Sequence, residues 1–226
     1  MLRTLTSRDL FSVVAIVVLA ALGTVLVSRT LPMVQAGENW LADFRFGTLT
    51  PPRPHDKDVV VVVITEDTLA TLPYRSPVDR GFLAGLLGHL EAAKPKAIGV
   101  DILFDQPQDE DPQLLQKLRS MQTPTLVGYA NLATNEADIT YDQQVYLEEF
   151  LAQLDGSNAR PASIRLDNTH GVTRKWPSIE PDLPPVLGRA MLRDAGEAGS
   201  AFPGYEGSLR YRHPAFENEP MYGRLQ

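Results

Sequence analysis

Leu10 to Ser28, LFSVVAIVVLAALGTVLVS, is a run of 19 residues without a charge, bounded by Asp9 and Arg29. At about 1.5 Å per residue, a helix of that length nearly crosses a hydrocarbon core ~30 Å thick. A helix in the core of a water-soluble domain rarely stays apolar on every face for so long. The run therefore predicts a transmembrane helix over 10–28. Arg3 and Arg8 precede it and only Arg29 follows closely. The positive-inside rule then puts residues 1–9 in the cytoplasm and everything after Arg29 outside it. The expected location is the cell inner membrane, single-pass, with the main domain periplasmic or extracellular. A cleaved signal peptide is the alternative, with Val34-Gln35-Ala36 as a tolerable cleavage site. The run is longer than a usual signal core and Ala36 lies well beyond its end, which favours an uncleaved anchor. Either way the remainder is exported.

The charge pattern narrows the function classes. The net charge is −7, and residues 101–150 alone hold ten acidic against two basic residues. A nucleic-acid binder needs a basic face, so no nucleic-acid partner is expected. The absence of cysteine removes disulfides, thiol catalysis and Cys-ligated zinc.

After the anchor, residues 29–58 read as a juxtamembrane stalk. GENWLADFRFGTLT, residues 37–50, has Trp40, Leu41 and Phe44 spaced for one helix face, and Pro51, Pro52 and Pro54 end it. Residues 59–226 read as an α/β domain with a mainly parallel sheet and flanking helices. VVVVVIT, Val59 to Thr65, is a β-branched run of the kind buried on both faces in such a sheet. Ser76-Pro77-Val78-Asp79 predicts a helix start, with Ser76 as cap and Asp79 in the reciprocal position of a capping box. Phe82, Leu83, Leu86, Leu87 and Leu90 follow at helical spacing, and Pro95 ends that helix. Ala97–Phe104 predicts a second strand and Thr125–Tyr129 a third. Between them Asp111-Pro112 starts a helix with Leu114, Leu115, Leu118 and Met121 on one face. This alternation is that of a parallel sheet. Beyond it, 141–154 predicts a helix facing inward through Leu147, Phe150, Leu151 and Leu154. Ser163–Leu166 and Val172–Trp176 predict a hairpin around residues 167–171, and Pro185–Ala195 a helix closed by Gly196. Ser208–Arg212 is a candidate last strand.

Ligands of an open parallel sheet sit beyond the carboxyl ends of its strands. Glu66 and Asp67 follow the first predicted strand, Asp101 lies in the second and Asp105 follows it. Arg75 and Arg80 flank the helix start at the same edge. These side chains suit either a small anion or mutual ion pairs, and Asp101 among apolar neighbours calls for a partner, with Arg80 as the candidate. The candidate ligand-binding set is Arg75, Arg80, Glu66, Asp101 and Asp105. The four histidines are scattered, no phosphate loop or dinucleotide fingerprint is present, and Ser76 and Ser163 lack a nucleophile's surroundings. No catalytic residue, metal site or cofactor is expected. An acidic pair after one strand and an Asp after another also mimic a receiver domain, but no matching Lys ends a later strand.

WLADFRFGTLTPP, VVVVVITEDTL and YRSPVDRGFLAGLLGHLEAAKPKAIGVDILFDQPQDED together resemble a CHASE domain of the second type. Asp43, Arg45, Glu66, Arg75, Arg80, Asp101 and Phe104 stand where that family has its acidic, Arg and Asp-x-x-Phe positions. LDNTHGVTRKWP resembles the family's later Asp-x-x-Gly-Val-x-Arg turn. The resemblance covers roughly residues 37–215. It implies an extracytoplasmic sensory module that answers an unknown ligand or protein and controls a cytoplasmic cyclase or kinase not present in this chain. The family's last apolar strand and returning membrane helices are missing, so the expectation is a truncated member. Single-span anchors transmit through helix–helix geometry, which leaves a homodimer open. The other readings are an exported small-molecule binding protein, and an exported enzyme using Asp101 and its acidic neighbours around a divalent metal.

Overall fold

The computed structural model describes residues 7–51, 56–135, 139–169, 172–196, 207 and 209. They fall into two compact units, one ending at Val62 and one beginning at Val63. The first holds two helices, α1 (Ser7–Thr30) and α2 (Pro32–Leu49). Pro32 occupies the first turn of α2, where its missing N–H costs nothing. Trp40 and Phe44 stack one turn apart, with ring centroids 5.7 Å apart.

The apolar run of the sequence is helical, but its predicted membrane crossing is not supported. Among the described residues no helix is long and apolar enough to cross a membrane.

The second unit is mixed α/β. A one-turn helix α3 (Glu66–Leu69) leads to α4 (Arg80–Ala92), and then β1 (Ile98–Val100), α5 (Asp111–Ser120) and β2 (Thr125–Tyr129) follow. After a short helix α6 (Leu132–Asn135) come α7 (Tyr141–Ala152) and β3 (Ala159–Ser163). The antiparallel pair β4 (Asp167–Thr169) and β5 (Val172–Lys175) and the helix α8 (Leu187–Asp194) complete the order. The strands β1-β2-β3 form a parallel sheet in that order, with Val100 opposite Val127 and Val127 opposite Pro161.

The pleat sorts the side chains into two faces. Ile98, Val100, Val127 and Ala159 join Leu83 and Leu87 of α4, Leu114 and Leu118 of α5 and Leu147 and Phe150 of α7 in the main core. Leu126 and Ala162 turn the other way and meet Ala190 of α8. Two glycines permit this closeness. A Cβ on Gly99 would stand 2.4 Å from Met191 Sδ, and one on Gly128 would stand 2.9 Å from the Ile102 carbonyl oxygen.

Three expectations need correction. VVVVVIT forms no strand: Val59, Val60, Val61 and Val63 are exposed and only Ile64 packs against the core. β-propensity is realised through a neighbouring ladder, and none is offered to this run among the described residues. The sheet's remaining strand is supplied instead by β3, ARPAS. Pro161 is tolerated there because odd positions of β3 face outward: Ser163 N–H donates to Pro185 O, whereas Ile164 N–H turns inward to Tyr129 O. Second, the strand predicted over 97–104 is only three residues long, since the chain after Val100 leaves the ladder. Third, Asp79, not Ser76, caps α4: its carboxylate accepts the Phe82 N–H at 2.6 Å. The helices at 111–120 and 141–152, the strand at 125–129 and the Gly196 closure (φ 77°) stand as predicted. Of the predicted hairpin strands, 172–176 stands as β5, whereas the first lies at 167–169 rather than 163–166. Most of the predicted strand 208–212 lies outside the described residues, though Leu209 N–H donates to Arg174 O.

At the amino edge, Glu91 ties α4 to α5 and to the turn before β2. It accepts Lys117 Nζ at 2.6 Å and the N–H groups of Gln122 (2.6 Å) and Thr123 (3.4 Å). The Lys117 bond, then those backbone donors, hold its carboxyl below the usual value of 4.5. A depressed carboxyl adds stability that is present above the unfolded-state value and is lost as pH falls through the folded-state one. Glu91→Gln should cost about 1–2 kcal/mol at pH 7. The difference from wild type should shrink toward zero at pH 3, as measured by urea unfolding at both values.

Candidate functional site

The helices α4, α5 and α7 all begin at the carboxyl edge of the sheet, and residues from the first turns of α4 and α5 and the second turn of α7 converge on one buried ion pair. Arg80, the first residue of α4, is fully buried, and Asp111, the first residue of α5, is buried beside it. Arg80 Nε donates to Asp111 Oδ1 at 3.0 Å. Its two other nitrogens donate to Val78 O and Gln106 O, both at 3.3 Å. Asp111 Oδ2 accepts the Gln108 N–H at 2.9 Å and the Tyr146 hydroxyl from α7. The Arg80 guanidinium lies over the Phe104 ring, 4.6 Å from its centroid, and Phe104 packs on Phe150 at 5.0 Å. Burial, and then the hydrogen bond to Asp111, push the Tyr146 phenol up to about 12.

The loop from Asp101 to Glu110 is held over this pair. Tyr74 donates its hydroxyl to Gln108 Oε1 at 2.8 Å and Glu110 Oε2 at 3.2 Å. Gln143, partner of Thr140 in the capping box of α7, donates to Asp105 Oδ2. Both oxygens of Asp111 and all three nitrogens of Arg80 have a partner, so the cluster clamps the loop.

The five candidate residues are not brought together. Arg80 and Asp105 join the clamp. Glu66 and Arg75 form a surface pair at 3.5 Å, with side chains 80% and 69% exposed, worth at most about 1 kcal/mol. Asp101 is exposed. The expected Arg80–Asp101 pair is replaced by Arg80–Asp111, because Asp101 has left the β1 ladder and points to water rather than into the apolar layer. The sequence pattern marks Asp111 only as a helix start, and nothing in it singles out Tyr146, Gln108 or Gln143. The one signal for Asp111 was an acid opening a helix at the same edge as Arg80.

Two open grooves, of about 480 and 300 Å³, lie elsewhere. The larger is lined by Pro112, Leu115 and Arg119, the smaller by Tyr129, Glu148, Asp155 and Pro161, and neither includes a candidate residue. Among the described residues no group of three His, Asp or Glu side chains could hold a metal ion. Compared with known protein families, residues 14–215 match the CHASE2 domain. No curated protein and no solved structure matches the chain.

Proposed function

The chain belongs to the CHASE2 domain family, a family of extracytoplasmic sensory domains, and from that premise we propose that it is the input domain of a signal-transduction protein, held at the membrane by α1. The match over most of the chain carries this reading. In it, the domain meets an extracytoplasmic ligand or protein, and the cyclase or kinase it controls lies outside these residues. The chain itself performs no catalysis.

The anchoring role of α1 is supported by what its described side chains leave uncovered. Phe11, Ile16, Val17, Leu19, Leu22 and Leu26 are each more than 60% exposed, and they are spread around the helix. Apolar side chains on every face of one helix are costly in water and cost nothing in lipid. Taken whole, Ser7–Thr30 reaches about 36 Å, enough for the hydrocarbon core. In this arrangement residues 1–9 are cytoplasmic, the domain is periplasmic or extracellular, and two copies pair through α1. Of the candidate carboxyl-edge residues, Glu66, Arg75 and Asp101 keep exposed side chains that a ligand or partner can reach.

The anchor is tested by fractionation. The full chain should stay with membranes through an alkaline carbonate wash, and a chain starting at Pro32 should be recovered in the soluble fraction. Release of the full chain by carbonate would contradict the anchor.

A further inference from the structure

Along α2, at about 100° per residue, Met33, Val34, Trp40, Leu41 and Phe44 fall within one sector about 120° wide, and the charged residues Glu38, Asp43 and Arg45 all fall outside it. No residue of this helix is buried. Met33 is 87% exposed and Trp40 65%, with Leu41 and Phe44 exposed beside them. Trp40 and Phe44 stack on each other. Large apolar side chains scattered singly over a surface need no explanation, but a contiguous stripe of them marks an interaction surface.

Two observations decide what covers the stripe. The first is its place. Leu31 alone separates α2 from the end of α1 at Thr30, so the stripe begins where the apolar run of α1 ends. Trp is enriched at the boundary between lipid and water, where its ring meets apolar matter and its N–H meets headgroups. The second is its size. Met33, Trp40, Leu41 and Phe44 leave on the order of 500 Å² uncovered, so two copies pairing through this face would bury about 1,000 Å², short of the ~1,200 Å² at which specific protein interfaces begin. A lipid surface sets no such threshold, and a helix with one apolar and one polar face lies in its plane. With two acidic residues against one basic, α2 has no attraction to anionic lipid, so the contact is apolar.

We propose that α2 lies flat on the membrane surface, with Met33, Trp40 and Phe44 among the lipid headgroups and Gln35 and Asn39 toward water. The proposal rests on the anchoring of α1, which puts the lipid boundary at the start of α2. Alkaline carbonate strips a surface contact of this kind, so a chain starting at Pro32 is still expected in the soluble fraction.

The test uses the full chain with Trp176→Phe, which leaves Trp40 as the remaining tryptophan, in phosphatidylcholine vesicles. Phosphatidylcholine brominated near the top of its acyl chains should quench Trp40 by about half, because an interfacial helix sits ~5–10 Å into the boundary between headgroups and chains. Aqueous iodide should quench it little, and 1 M salt should change neither result, since the contact is not ionic. Met33→Glu with Phe44→Glu should abolish quenching by brominated lipid and admit iodide. A helix running straight out from the membrane would hold Trp40 about 12 Å beyond its first residue, where brominated lipid leaves it unquenched. That result overturns the proposal. So does shielding from iodide without quenching by brominated lipid, which means that protein covers the face. A carbonate wash of the same vesicles separates the two claims. A chain retained through the wash with Trp40 unquenched keeps the anchor and loses this contact. A chain quenched before the wash and released by it keeps the contact and loses the anchor, and a chain that never joins the vesicles loses both.

Discussion

Asp111→Ala should lower the unfolding free energy of the α/β unit by about 3–5 kcal/mol, because it strands a fully buried guanidinium. The side chains of the Arg80–Asp111 pair are 1% and 9% exposed, so water cannot replace the lost carboxylate. The same change releases the Gln108 N–H and the Tyr146 hydroxyl, freeing the loop from Asp101 to Glu110 as well as weakening the fold. Removing both charges, as Arg80→Met with Asp111→Leu, should recover much of the loss, since an apolar pair of similar volume carries no desolvation cost. Urea unfolding followed by circular dichroism checks both. A cost below about 1 kcal/mol for Asp111→Ala would mean that the pair is solvated and the clamp open.

Phe104→Ala should cost a further large amount, about 3–5 kcal/mol, for a different reason. The ring is fully buried, in contact with both the Arg80 guanidinium and the Phe150 ring. Truncation leaves a cavity that α4, α5 and α7 cannot close without moving the ion pair. Phe104→Leu refills most of the volume and should cost about 1 kcal/mol. The Ala changes at 104 and 111 touch one network, so their sum should exceed the double variant's loss. Thermal melts of the three variants test this, and strict additivity would mean that the ring and the ion pair are energetically separate.

These effects explain which parts of the protein are legible in its residues. Helices α5 and α7 are written in the spacing of Leu114, Leu118, Leu147 and Phe150, and β2 in TLVGY, because each buries one recognisable pattern. β3 carries Arg160 and Pro161, which read as loop; its strand character comes from the β2 edge it joins. The five-valine run has the opposite fate, since propensity without a partner strand makes no sheet. At the carboxyl edge, the residues mark Asp101 as an acid in need of a partner and Arg80 as the candidate. Choosing Asp111 over Asp101 required knowing that the chain leaves the ladder after Val100 and that α5 starts beneath the guanidinium. Nothing local to either residue encodes a contact across 31 positions.

Placement of the domain outside the cytoplasm on a membrane anchor is directly measurable, because the chain has no cysteine. Ala152→Cys puts a single thiol on an exposed position of α7, and Thr4→Cys puts one ahead of the anchor. Intact cells are treated with a membrane-impermeant maleimide, before and after permeabilisation. Cys at 152 should be labelled in intact cells and Cys at 4 only after permeabilisation. Labelling at 152 that appears only once the cells are opened would contradict it.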